Sequence, residues 1–168
     1  MSENSYRQIT LTQGQIALVD ADDYEILSQW RWFAHWDKSG HRFYAARLVT
    51  IGRKKQKYVS MHRFLLSFPA LKVDHIDRNG LHNWRNNLRV ATDPQNGVNR
   101  KLQINNGSGF RGVYYRKDSR KWGAFLKLDQ VHVHLGLFPT AEAAAHARDG
   151  EALKRFGEFA VLNFPQEG

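Results

Sequence analysis

The sequence predicts an α+β protein in three parts: a β-rich N-terminal lobe, a hairpin-plus-helix unit in the middle, and a three-stranded antiparallel sheet packed on one helix. Three observations carry this. Residues 15–66 alternate short apolar and polar runs, residues 73–96 read as strand, loop, strand and helix start, and residues 110–157 hold three period-2 runs followed by an Ala-rich helix.

At 168 residues and 42% hydrophobic, the chain has material for one ordinary domain or two small ones. Its 25 Lys and Arg against 16 Asp and Glu give a net charge of +9, which favours a polyanionic partner through counterion release. Cysteine is absent, which excludes disulfides, thiolate-held zinc and thiol catalysis, so any metal must be held by oxygen or imidazole. No apolar run approaches the ~18 residues of a membrane span, and the opening Met1–Gln8 has no signal-peptide core. A cytoplasmic protein with no membrane partner is expected, and no signal for oligomerisation is legible.

Gln15–Val19, Arg42–Arg47 and Lys57–Met61 read as strands, with a short helix near Asp22–Gln29. Arg53, Lys54, Lys55 and Lys57 fall in a hairpin loop between two such strands and are candidate DNA contacts, although a lone charge run is as readily a solvated loop. In the middle unit, Asp77-Arg-Asn-Gly80 has turn chemistry, and Asp93-Pro94 reads as an N-cap acid followed by Pro at the first helical position. Asn96, on the first helical turn, can then face Asp74 on the first strand, giving two oxygen ligands for one hard divalent ion. His75 can take a proton near neutral pH, as phosphodiester hydrolysis by water requires. Neighbouring strand residues point to opposite faces, so Asp74 and His75 can share a site only at a strand end or bulge.

The letters Asp74-His75-Ile76-Asp77, Asn79-Gly80, Asn83, Asn87-Leu88-Arg89 and Asn96 closely resemble the HNH nuclease family, in its phage and intron-encoded homing type. Ala17–Tyr24, Trp30-Arg31-Trp32 and Met61-His62-Arg63 resemble the stretch that often precedes this motif, so the likeness covers roughly 15–100. The resemblance implies a ββα-metal unit in which Asp74 and Asn96 hold the metal, His75 is the general base, and Asn87 braces the loop. One divalent ion is implied, magnesium first and manganese as the alternative. His82 and His62 read as structural or substrate-contacting rather than metal-binding.

Residues 97–109 end in Asn, Gly and Ser, and their end reads as a linker, dividing the chain into a nuclease domain, 1–104, and a second domain, 105–168. The runs Phe110–Lys117, Trp122–Leu128 and Val131–Phe138 form a meander, and a helix from Ala141 to about Phe156 follows, capped by Thr140 and ended by Gly157. Parity puts Val113, Tyr115, Ala124, Leu126, Leu128, Val131, Val133, Leu135 and Leu137 on the core face. The opposite face collects Tyr114, Arg116, Phe125, Lys127, His132 and His134. Residues 110–138 hold six basic groups against Asp118 and Asp129, whereas 139–168 hold three against five, so the sheet is basic and the helix acidic.

Phe110-Arg-Gly-Val113, Trp122-Gly-Ala124, Leu135-Gly-Leu-Phe138, Thr140-Ala-Glu-Ala-Ala144 and Asn163-Phe-Pro165 resemble the DNA-binding domain of the Apetala and ethylene-response-factor class. That family lays its sheet in the major groove. Carried over by position, the contacts are Arg111, Tyr114, Arg116, Phe125, Lys127, His132 and His134. Tyr114, Phe125 and His134 stand where Arg, Glu and Trp are usual, so the target sequence does not transfer. Arg111 has core-side parity and would reach DNA only through strand twist at the sheet edge.

The function expected is a site-selective, one-metal endonuclease of homing type acting on double-stranded DNA. A DNA-binding transcriptional regulator with a vestigial nuclease unit is the alternative, and RNA is a weaker candidate substrate.

Overall fold

The alternation in the first half of the chain becomes a set of short antiparallel pairings, in a computed structural model that describes residues 5–53, 55–99, 102, 106–128 and 131–165. Contacts group the residues up to Ala91 into one unit and those from Thr92 into another.

In the first unit β1 (Tyr6–Thr10) pairs with β2 (Ile16–Asp20), and α1 (Ala21–Ser28) follows directly. β3 (Phe33–Asp37), β4 (Arg42–Ile51) and β5 (Lys55–Ser60) form a sheet in that order, and α2 (Met61–Leu65) leaves its last strand. β6 (Lys72–His75) pairs with β7 (Leu88–Ala91), with a 3-10 turn, Arg85–Asn87, before β7. Val19, Leu27, Trp32, Ala34, Ala45, Met61 and Leu88 gather in one core beneath these elements. The β4–β5 turn passes through Gly52 at φ +66 with Arg53 exposed beside it, whereas Lys55 and Lys57, expected in the loop, lie exposed on β5, opposite Ile51 and Val49 of β4. Lys54 lies outside the described residues.

The loop after β6 is docked on two neighbours. Leu18 of β2 donates its N–H to Leu81 O (2.9 Å) and accepts from Asn83 N (2.7 Å), so the loop continues the edge of the β1–β2 pair. Gly80 lies against β4 so closely that a Cβ would stand 2.4 Å from Phe43 O and 2.5 Å from the Tyr44 ring.

In the second unit α3 (Asp93–Val98) starts one residue earlier than the Asp93-Pro94 pattern indicates. Thr92 is the N-cap, because its hydroxyl and the Gln95 side chain satisfy each other's backbone N–H groups in a capping box, which leaves Asp93 inside the first turn. Asn106 and Ser108, at the end of the stretch read as a linker, are hydrogen-bonded to the start of the β-meander. Asn106 Nδ2 donates to Phe110 O (3.0 Å), and the Ser108 hydroxyl meets Val113 O (2.9 Å).

β8 (Val113–Arg116), β9 (Lys121–Leu128) and β10 (Val131–Phe138) form a meander in the order β10-β9-β8, backed by α4 (Ala141–Phe156). Thr140 caps α4 by accepting from Ala143 N (3.1 Å), and Gly157 ends it at φ +51. A 3-10 turn, Gly157–Phe159, follows, and α3 packs on it. Val113, Ala124 and Leu126 meet Ala144, Ala145, Ala152 and Phe156 in the core.

Three residues assigned to the core face are exposed: Tyr115, Val131 and Leu137. Leu137 departs because β10 bulges at Leu135. His134 pairs with Phe125 and Gly136 with Ala124, so the parity reverses and Phe138 turns inward in place of Leu137. Tyr115 and Val131 lie near strand ends. β8 is also shorter than its apolar run, since Gly112 at φ +70 keeps Arg111 in a turn ahead of the strand.

Among the described residues no helix is long and apolar enough to cross a membrane.

Candidate active site

β6 ends at His75, so Asp74 and His75 are its last two residues, paired with Arg89 and Leu88 of β7. Both are buried, Asp74 at 5% and His75 at 3% exposure. Asp74 Oδ2 accepts from Arg89 Nε (3.2 Å) and Nη2 (3.1 Å), Arg89 being its direct partner across the β6–β7 ladder.

His75 Nε2 donates to Asn83 Oδ1 at 3.3 Å. Asn83 is fully buried, and its amide nitrogen faces Gly80 O, which sets the oxygen toward the imidazole. With the amide in this orientation, the tautomer that pairs with it carries its proton on Nε2. Asn83 is a residue whose role the sequence did not reveal. It was one of several asparagines in a turn-rich stretch, and the eight-residue separation from His75 carries no local signal.

Asn87 lies at the base of the same loop. Its Oδ1 accepts from Asp77 N (3.0 Å), and its Nδ2 reaches Asp77 Oδ1 (3.0 Å) and His82 O (2.8 Å). His82 Nδ1 donates to Asp77 Oδ2, and its ring stacks on Trp84 with centroids 4.7 Å apart. Burial alone would raise the Asp77 carboxyl, but hydrogen bonds from Asn79, Asn87 and His82 outweigh it and hold the group below the ordinary carboxylate value. Arg85 anchors the far end of the loop. Its N–H donates to Asp20 Oδ2 (2.7 Å), and its guanidinium makes a two-point contact with Asp23 on α1 (2.7 and 2.8 Å).

Two more rings complete the wall around His75. The His62 ring centroid is 5.0 Å away and nearly perpendicular, and the Tyr44 centroid is 5.8 Å away. Burial pushes His75 down to about 4 and His62 to about 3, with the neighbouring His75 adding to the effect on His62. Both rings are neutral at pH 7.

These depressed values predict a pH dependence of stability. A histidine whose folded value lies below its unfolded value of 6.5 binds more protons unfolded than folded between the two. The stability it contributes is complete above pH 6.5 and is lost as the pH falls toward the folded value. Urea unfolding is expected to show a loss of about 2–3 kcal/mol per ring between pH 6.5 and 4.5. The lowered carboxylates Asp37 and Asp77 act only further down, below their ordinary 3.8. A flat profile between pH 6.5 and 4.5 would mean that the two rings are hydrated.

Asn96 belongs to α3 in the second unit, and its N–H donates to Thr92 O (2.9 Å) as part of that helix. Among the described residues no cluster of three or more His, Cys, Asp and Glu gathers as a ligand set. A carboxylate such as that of Asp74 is the type of oxygen donor that a hard divalent ion takes.

In the second unit, cross-strand pairing puts Tyr114, Arg116, Phe125, Lys127, His132 and His134 on one face, opposite α4. Gly123 lets the Tyr114 ring lie across the sheet, since a Cβ there would stand 2.3 Å from it. Phe125 and His132 rings are 4.5 Å apart, and Tyr114 and His134 6.3 Å. Arg116 is exposed and already paired with Asp118 (2.9 Å). Arg111 is tied at its backbone, with its N–H donating to Asn163 Oδ1 (2.7 Å), while Asn163 in turn bonds the buried Asp149 of α4.

No family model matches the chain. Over 158 residues, 90% of its length, it is 30% identical to an uncharacterized HNH endonuclease of Acanthamoeba polyphaga mimivirus, of which it covers 76%. It is 43% identical over 58 residues, 34% of its length, to an AP2/ERF and B3 domain-containing protein of Oryza sativa subsp. japonica, of which it covers 16%. It is 38% identical over 50 residues, 30% of its length, to Protein 3.8 of Escherichia phage T7, of which it covers 41%.

Proposed function

The chain belongs to the HNH endonuclease family, and on that premise we propose that it is a site-selective, metal-dependent endonuclease of homing type acting on double-stranded DNA. The observation that carries this reading is the pair Asp74 and His75, buried together at the end of β6, with the His75 ring oriented by Asn83.

In this reading His75, neutral and with its lone pair on Nδ1, takes the proton of the attacking water. Asn83 holds the ring in that tautomer, and Asn87 keeps the loop closed around Asp77 so that the strand end stays in place. Asp74, steadied by Arg89, and Asn96 are the residues assigned as ligands, and a divalent ion, magnesium or manganese, would be held by such oxygen donors. The chemistry such an ion would supply when bound is Lewis-acid stabilisation of developing negative charge. Our functional division assigns residues 1–104 to cleavage and 105–168 to DNA binding, which keeps Asn96 on the nuclease side although the contacts of α3 group it with the second unit.

The basic, aromatic face of the β8–β10 sheet and the identity to the AP2/ERF-named rice protein support DNA as the partner. Arg53, Lys55 and Lys57 add exposed positive charge on the first unit. We assign Tyr114, Phe125, Lys127, His132 and His134 to groove contact, with Arg116 and Arg111 at the margin. Lys127→Ala is expected to weaken binding and to flatten the plot of log K against log salt by about 0.9. Arg116→Ala should flatten it less, because Asp118 already neutralises part of that charge. Glu151→Ala, on the helix behind the sheet, should change neither affinity nor slope. Equal effects from all three in a salt titration of binding would remove the sheet from the interface.

The test of the whole reading is incubation with supercoiled plasmid, with and without magnesium. Magnesium-dependent conversion to nicked or linear DNA is expected. A shifted but uncut plasmid would mean a DNA-binding regulator.

A further inference from the structure

We propose that DNA binding by the β8–β10 sheet is linked to proton uptake, with His132 and His134 engaging phosphate as imidazolium ions. The inference rests on the reading of this face as the DNA-binding surface, and the experiment below separates the two.

The strand register places both rings where a ligand can reach them. His132 and His134 alternate along β10 on the face away from α4, His132 opposite Lys127 and His134 opposite Phe125. Both are exposed. Among the described residues His132 makes no hydrogen bond, and His134 has one long contact, between its Nδ1 and the Tyr114 hydroxyl at 3.5 Å. Both nitrogens of His132 and Nε2 of His134 are therefore open to an incoming group.

The surrounding side chains decide which group that is. On the same face stand the cations Lys127, Lys121 and Arg116 and the rings of Phe125 and Tyr114. The Asp118 carboxylate is paired with Arg116 beside the β8–β9 turn, at the opposite end of β9 from Lys127. The other element packed on β10, α4, lies behind the sheet with its charged groups from Glu142 to Arg155, and its Asp149 is buried against Arg148 and Asn163. Asp129 and Gln130 lie outside the described residues. The His132 ring lies on Phe125 with centroids 4.5 Å apart and planes 31° from parallel, so a positive charge on it makes a cation–π contact that a neutral ring lacks. Among the described residues this face holds no free carboxylate, and the partner it offers a protonated imidazole is an anion from outside.

Histidine is the side chain whose ordinary charge change falls between pH 5 and 8. A phosphate oxygen at hydrogen-bond distance favours the charged form of an imidazole, so a histidine that meets phosphate is more fully protonated in the complex than in the free chain. By linkage, affinity then rises as the pH falls. Each imidazolium also releases a counterion from the DNA, which steepens the salt dependence of binding by about 0.9 per histidine as protonation completes.

The experiment titrates a short mixed-sequence DNA duplex with the full chain by fluorescence anisotropy, in EDTA and at constant ionic strength, from pH 8 to pH 6. His132→Gln, His134→Gln and the double variant are measured alongside, with circular dichroism at each pH to verify folding. The unaltered chain is expected to bind about 10–10²-fold more tightly at pH 6 than at pH 8, each single variant by a smaller factor, and the double variant by less than about 3-fold. The exposed His35 and His41 of the first unit are unaltered in the double variant, so any linkage of theirs stays in its profile. An affinity that does not rise as the pH falls, or one that rises as steeply in the double variant, would overturn the proposal. If the unaltered chain bound the duplex at neither pH, the DNA reading of the sheet would itself fall, and this inference with it.

Discussion

His75→Ala is expected to bind DNA about as tightly as the unaltered chain and to cleave it roughly 10²–10⁴-fold more slowly. The ring is buried at the end of β6 and presents no charge to phosphate, so its loss removes a proton acceptor and little binding energy. Single-turnover nicking and a gel-shift titration on the same plasmid check both halves. Unchanged cleavage would take His75 out of the reaction. Asp74→Ala and Asn96→Ala should behave differently, recovering part of their rate as magnesium is raised, because a ligand's loss weakens metal affinity. Of these two Asn96→Ala is the cleaner, since Asp74→Ala also strips the largely buried Arg89 of a carboxylate partner.

Asn83→Ala is the second large effect. Without the Oδ1 acceptor nothing specified by Asn83 keeps the proton on Nε2, and a ring free to exchange tautomers or tilt presents the wrong nitrogen to water. The expected loss is about 10²-fold in kcat with KM little changed. Asn83→Asp, whose carboxylate accepts the same N–H, should recover most of it. If Asn83→Ala cut normally, the imidazole would have to be oriented by another group.

What the sequence disclosed and what it hid divide along physical lines. Features set by neighbours along the chain were readable. The period-2 runs announce the meander, and Thr140 and Gly157 bound α4. The exposed face from Tyr114 to His134 followed from the same parity. Features set by partners distant along the chain were not. Arg85 finds Asp23 across 62 positions, the Leu18 backbone receives the Asn83 loop, and Asn163 reaches back 52 positions to Arg111. No local pattern announces such pairs. The Thr92 cap was missed for another reason: Asp93-Pro94 offered a competing signal one residue on, and the reciprocal bond with Gln95 decided between them.

The bulge in β10 has an evolutionary side. A strand is usually intolerant of losing a single residue, because everything beyond the gap turns inside out. β10 carries one residue more than the stretch of β9 it lies along, so losing Leu135 would leave His134 opposite Phe125 and Gly136 opposite Ala124 as before. The face presented by His132 and His134 would survive such a deletion. The damage would fall behind the sheet, where Leu135 is packed against both apolar clusters. At this position a change in chain length acts as an ordinary core truncation, and the outer surface is insulated from it.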